Sequence, residues 1–144
     1  MIQSLCRLLK RFVDSVFKSK VAASVEDHEP LARFIFSSGH FAASKDLVKP
    51  MAFLPDSAGE TSVFRIFSLP LAHVWDIGNG IRSDRAKAFG KLQTAAVRRT
   101  GLQVRAATED HPRHAVIGGW PSEKHKKLML ALELSKDASL HFQT

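Results

Sequence analysis

Apolar residues recur at three- and four-residue spacing along the start of the chain, from Ile2 to Phe17. This spacing places them on one face of an α-helix, and Arg7, Arg11 and Lys18 fall on the opposite face. The pattern therefore predicts a basic amphipathic helix over about residues 2–21.

Three roles fit such a helix: packing on the body of the protein or on a partner, lying on a membrane surface, or serving as a cleaved organellar transit peptide. We favour packing. A secretory signal is disfavoured because Arg7, Lys10 and Arg11 interrupt every apolar run. No window approaches the roughly 20 apolar residues of a transmembrane helix.

An acidic stretch follows this helix, with Glu26, Asp27 and Glu29 just before Pro30. Proline disfavours helical backbone at the residue that precedes it, so the helix should end before this point. We therefore expect residues 1–30 to form the helix and an acidic hinge, and residues 31–144 to form a single domain.

Strands are predicted where short runs rich in Phe and β-branched residues are bounded by Gly, Pro, Asp or Ser. A polar turn over residues 108–112 separates the last two of these runs, which indicates a hairpin. The five predicted strands cover residues 33–36, 51–54, 62–67, 102–107 and 113–118.

Three further helices are predicted, over residues 69–77, about 83–99 and about 122–136. In the second, Ser83 or Asp84 stands near the N-cap and Gly101 lies just past the end. Lys87, Lys91 and Arg98 would then fall within roughly 40° of one another on its exposed face.

Strands and helices in this mixture predict an α+β fold. The connections between strands are too short for parallel crossovers. We therefore expect a small, mostly antiparallel sheet of about five strands with helices packed on one face, preceded by the N-terminal amphipathic helix.

Composition supports a folded, basic domain. The chain has 144 residues, of which 44% are hydrophobic, with only 6 Pro and 8 Gly, so it is neither disordered nor collagen-like. A single cysteine, Cys6, excludes an internal disulfide and a Cys-rich zinc site. These features fit a reducing compartment, and we expect a cytoplasmic, prokaryotic protein.

The formal net charge is +7, and the excess is concentrated in residues 82–105. Asp84 is the single carboxylate there, and concentrated Lys and Arg neutralise phosphates or acidic side chains. We therefore predict a small interaction module that binds nucleic acid or an acidic protein. The basic residues of the segment are Arg82, Arg85, Lys87, Lys91, Arg98, Arg99 and Arg105.

The common nucleotide-binding and hydrolase motifs are missing from the sequence: it contains no GxxxxGK[ST], GxGxxG, GxSxG or HExxH. No RNP-type, KH or zinc-finger pattern supports a known nucleic-acid module. His111 and His114 have the spacing of a helical zinc pair, but Pro112 puts them in a turn. No cofactor and no metal are predicted.

Two alternatives remain. A metal-independent, toxin-type ribonuclease would need a base, an acid and a cation for the phosphate, and His40 and His114 with Arg65 or Arg113 are of the right types. That hypothesis requires the two imidazoles to lie close together. The other alternative is peripheral membrane attachment through the N-terminal helix.

Overall fold

The structure is a computed structural model that describes residues 21–143. Residues 1–20, which carry the predicted N-terminal helix, lie outside the described residues. The described helices are α1 (Leu71–Asn79), α2 (Thr94–Arg99) and α3 (Lys124–Asp137), with 3-10 turns at Ser38–His40, Ala43–Lys45 and Pro50–Phe53. The strands are β1 (Pro30–Ile35), β2 (Phe41–Ala42), β3 (Leu47–Val48), β4 (Thr61–Arg65), β5 (Ala88–Gln93), β6 (Gln103–Ala106), β7 (His114–Gly118) and β8 (Ser139–Phe142).

Six strands form one sheet in the order β6-β7-β4-β1-β5-β8, and β2 pairs with β3 separately. Every pairing is antiparallel; in the centre, Leu31 of β1 faces Arg65 of β4 on one side and Leu92 of β5 on the other. The predicted α+β class with an antiparallel sheet is confirmed, with six strands in place of about five.

Helices cover both faces of the sheet, so the expectation of helices on one face is wrong. On the first face, Leu31 and Ile35 pack with Val97 of α2 and Leu134 of α3. On the second face, Phe34, Phe64 and Phe89 pack with Val74 and Trp75 of α1. Apolar side chains alternate onto both sides of β1, and each side must be covered to be removed from water.

The predicted helix over residues 83–99 is also wrong. Residues 81–87 are a loop, residues 88–93 are strand β5, and only residues 94–99 are helical. Strand β5 lies inside the sheet between β1 and β8, where Ala88, Phe89, Gly90 and Leu92 are all buried. Burial on both faces removes the alternation that would have indicated a strand.

Most of the other predicted elements are confirmed with small shifts of their ends: β1, β4, the β6–β7 hairpin, α1 and α3. The predicted strand over residues 51–54 is wrong, because the chain there forms the 3-10 turn Pro50–Phe53. This turn buries Ala52 and Phe53 in the first face of the core.

Candidate functional site

Lys87, Lys91 and Arg98 do not share a helix face, because they lie on three different elements. Lys87 is in the loop before β5, Lys91 is within β5, and Arg98 is in α2. The predicted basic face of a helix is therefore not present.

Two of the seven basic residues are neutralised within the molecule. Arg98 Nη1 lies 2.6 Å from Asp27 Oδ1, and the same guanidinium donates to the carbonyls of Val25 and Val104. Arg105 forms an ion pair with Glu60.

The seven residues are also spread across the sheet. Strand β6, which carries Arg105, is separated from β5 by three strands. At the usual spacing between strands this is about 19 Å. Arg99 lies at the end of α2, beside Asp27 and Asp137 in an open depression of about 420 Å³. Residues 82–105 therefore do not form one continuous basic surface.

Four of the residues lie on one continuous segment, the loop before β5 and β5 itself, and we call Arg82, Arg85, Lys87 and Lys91 the basic cluster. Arg82, Arg85 and Lys87 are exposed, and Lys91 is half-buried. Among residues 21–143, none of the four forms an ion pair with a carboxylate. Asp84 is the one acidic residue between Arg82 and Lys91, so the positive charge exceeds the negative.

The loop that carries Arg82, Arg85 and Lys87 is fixed at three points, to strand β1, to the residue after it and to the end of α1. The guanidinium carbon of Arg82 lies 4.4 Å from the centre of the Phe36 ring. The Ala86 amide donates to Asn79 Oδ1 at 3.1 Å, and the Lys87 amide donates to the Ile35 carbonyl at 2.8 Å. Because the backbone is held in this way, the cationic side chains project from a defined platform.

The positive charge of the basic cluster contributes to the lowered pKa of two neighbouring groups, His141 and Arg33. The pKa of His141 is lowered by burial and then by the charge of Lys91, against an opposing effect of Asp46. Burial and then the charge of Arg82 lower the pKa of Arg33, with Asp56 acting in the other direction. In both cases the basic cluster disfavours a further cation, and the same potential attracts anions.

The two arginines of the ribonuclease hypothesis are held by acceptors of the protein itself. Arg65 donates to both carboxylate oxygens of Glu29 at 2.8 Å and to the carbonyls of Ala22 and Ser24. Arg113 donates to the carbonyls of Arg65 and Phe67. Burial, and then the charge of Arg65, lower the pKa of Arg113, while Glu29 raises it.

The two histidines of that hypothesis lie on different sides of the sheet. The ring centre of His114 lies 5.3 Å from that of Phe64, on the second face. The backbone carbonyl of His40 accepts from the Lys49 amide, beside Val48, which is buried in the first face. The structure therefore does not bring His40 and His114 together, and it holds Arg65 and Arg113 in the interior.

Around His114 the structure assembles two polar partners, Ser62 and Asp110. Ser62 Oγ lies 2.6 Å from Nε2 of His114, and Asp110 Oδ1 lies 3.1 Å from its Nδ1. Ser62 is 52 residues away in sequence, and nothing in the chain marks it beyond its place in a strand. Asp110 and His114 are four residues apart across the β6–β7 turn, which is the only local signal.

Within residues 21–143, no group of three or more His, Cys, Asp or Glu side chains has the geometry to hold a metal ion. No helix in this part of the chain is long and apolar enough to cross a membrane. Comparison of the chain with protein-family models, with curated proteins and with solved structures finds no match.

Proposed function

We propose that this protein is a small interaction module that binds the phosphates of nucleic acid through the basic cluster. The observation that supports this proposal most directly is the set of four cationic side chains on an anchored loop and strand, none of them paired with a described carboxylate. Binding phosphates there releases counterions from the nucleic acid, which drives association without base recognition.

Nucleic acid fits the basic cluster better than an acidic protein does. Stable protein–protein interfaces have an apolar core and are depleted in lysine. Lys87 and Lys91 make up half of the cluster, and both arginines in it have planar guanidinium groups that suit phosphate oxygens. The expected binding is therefore largely independent of sequence and strongly dependent on salt.

The salt dependence of oligonucleotide binding tests this proposal. With four phosphate contacts, the logarithm of the association constant should fall with the logarithm of salt concentration at a slope of about −3 for a single strand. Reversing Arg82, Arg85 and Lys87 to Glu should weaken binding and make the slope shallower by about 2. Fluorescence anisotropy with a labelled oligonucleotide measures both quantities.

A matched control is available on α3, the helix that packs on the first face of the sheet, where Lys124, Lys126 and Lys136 are exposed. Reversing these three to Glu changes the net charge by the same amount and should leave most of the affinity in place. Equal losses in the two variants would show that only net charge matters. Binding to polyglutamate without binding to the oligonucleotide would overturn the proposal in favour of an acidic protein partner.

A further inference from the structure

Ser62, His114 and Asp110 form a continuous chain of polar contacts on the second face of the sheet. Ser62 Oγ lies 2.6 Å from His114 Nε2. On the other side of the ring, His114 Nδ1 lies 3.1 Å from Asp110 Oδ1 and 2.9 Å from the carbonyl oxygen of Ala107. A hydroxyl, an imidazole and a carboxylate in this order are the parts of an activated serine nucleophile.

The contact with Ala107 determines which nitrogen of His114 carries the proton. A carbonyl oxygen can only accept, so Nδ1 must donate to it. In the neutral ring Nε2 then has a free lone pair, and Ser62 must donate its hydroxyl proton to it. Ser62 therefore points its proton at a base that is already in the required tautomer.

Two paired strands and a turn hold the three groups in place. Phe64 of β4 faces His114 of β7, and Ser62 lies two residues before Phe64 on the same side of the strand. The β6–β7 turn brings Asp110 back towards the ring. The His114 side chain is only 14% exposed, whereas that of Asp110 is 75% exposed. The base is thus held by the fold and partly exposed, and its carboxylate partner lies at the surface.

We propose that Ser62 is a nucleophile for acyl transfer from a carboxylic ester to water. Ser62 Oγ forms a bond to the acyl carbon while its proton passes to His114 Nε2, and the ester C–O bond then breaks. The leaving alkoxide takes that proton and departs as the alcohol. Asp110 keeps the ring oriented and stabilises the imidazolium ion.

The second half of the reaction uses water as the co-reactant. His114 removes a proton from a water molecule, whose oxygen attacks the acyl carbon on Ser62. The bond between Ser62 Oγ and the acyl carbon then breaks, and the serine recovers its proton from His114. The products are one carboxylic acid and one alcohol. Because only a small part of the His114 side chain is exposed, the expected substrate class is a small ester or an ester at the end of a longer molecule.

A second serine–histidine pair on the same sheet provides a matched control. Ser139 Oγ lies 3.0 Å from His141 Nε2 in the edge strand β8. No carboxylate within residues 21–143 forms a hydrogen bond or ion pair with His141. Burial and Lys91 lower the pKa of His141. If a hydrogen-bonded histidine alone activated serine, Ser139 would react as Ser62 does.

Covalent labelling with a fluorophosphonate probe, read by peptide mass spectrometry, tests the proposal on the full chain. We expect one adduct on Ser62 and none on Ser139. Replacing His114 with Asn should slow labelling at least about 100-fold, the usual contribution of a general base. Asp110→Asn should also slow it, and Ser139→Ala should leave the rate unchanged.

Hydrolysis of p-nitrophenyl acetate provides the second measurement, with a burst of nitrophenol that Ser62→Ala abolishes. Circular dichroism and thermal unfolding identify any variant that fails to fold. Because the Asp110 side chain is exposed, Asp110→Asn is the variant that we expect to disturb folding least. Absence of a Ser62 adduct in the folded protein would overturn the proposal, as would labelling that is unchanged by both His114→Asn and Asp110→Asn. The probe carries no phosphate chain, so its result is independent of oligonucleotide binding.

Discussion

Arg65 and Glu29 show how a single pair of charged residues ties the start of the described chain to the sheet. Their side chains are only 2% and 6% exposed and meet at 2.8 Å. Burial alone would raise the pKa of Glu29, but hydrogen bonds from Arg65 and from the Glu26 amide, with the charge of Arg65, lower it below its ordinary value of 4.5. The acidic stretch expected to act as a hinge is therefore packed on the domain here.

Removing one partner of this pair should lower the free energy of unfolding more than removing both partners. Arg65→Met leaves Glu29 buried without its cation, and we expect the free energy of unfolding at pH 7 to fall by about 3–5 kcal/mol. The double variant Arg65→Met/Glu29→Gln should recover much of that loss. Urea denaturation measures both; a double variant no more stable than the single one would contradict this account.

The pH dependence of stability provides a second readout of the same pair. Because the pKa of Glu29 is lowered on folding, its contribution is complete above about pH 4.5 and declines as the pH falls through the folded value. The double variant lacks this carboxylate, so its stability should fall less steeply with acid than that of the wild type. Equal slopes would mean that Glu29 contributes nothing to acid unfolding.

At the scale of elements, the sequence predicted those that are bounded by clear turn signals and missed strand β5, the two-residue strands β2 and β3, and the edge strand β8. The β6–β7 hairpin was predictable because a polar turn separates two short apolar runs. Strand β5 was not, since Phe89, Leu92 and Ala96 also fit the spacing of a helix. Only its position between β1 and β8 determines its conformation, and a pairing partner cannot be inferred from local spacing.

Helix α1 packs on the sheet at Gly78, where there is no room for a side chain. A Cβ added at Gly78 would lie 2.4 Å from Cδ1 and Cε1 of Phe34. Gly→Ala in an open helix usually stabilises by about 0.5–1 kcal/mol, but overpacking against a buried ring costs about 1–3 kcal/mol. We therefore expect Gly78→Ala to lower the free energy of unfolding by about 1–2 kcal/mol.

Gly118→Ala is the control for that substitution, because a Cβ there would have no neighbouring atom within 4 Å. Chemical denaturation of the two variants beside the wild type distinguishes the steric effect of the added Cβ from the general effect of replacing a glycine by alanine. If Gly78→Ala unfolds at the same or a higher urea concentration than the wild type, α1 does not pack on Phe34 as described.

For the whole molecule, the distribution of charges along the sequence located the basic segment, but only the fold shows which of its charges are available to bind an external anion. Arg98 pairs with Asp27, and Arg105 pairs with Glu60, 45 residues away in sequence. Such pairings are set by the order of the strands, which the local pattern does not contain. What remains for an external anion is the smaller basic cluster at the start of β5.

Binding of nucleic acid at the basic cluster can be located by NMR mapping of backbone amide shifts during titration with a single-stranded oligonucleotide at low salt. We expect the largest shift changes over residues 82–91 and little change in α3. Changes centred on α3 or around Arg98 and Arg105, or no changes at all, would contradict the proposal that the basic cluster binds nucleic acid.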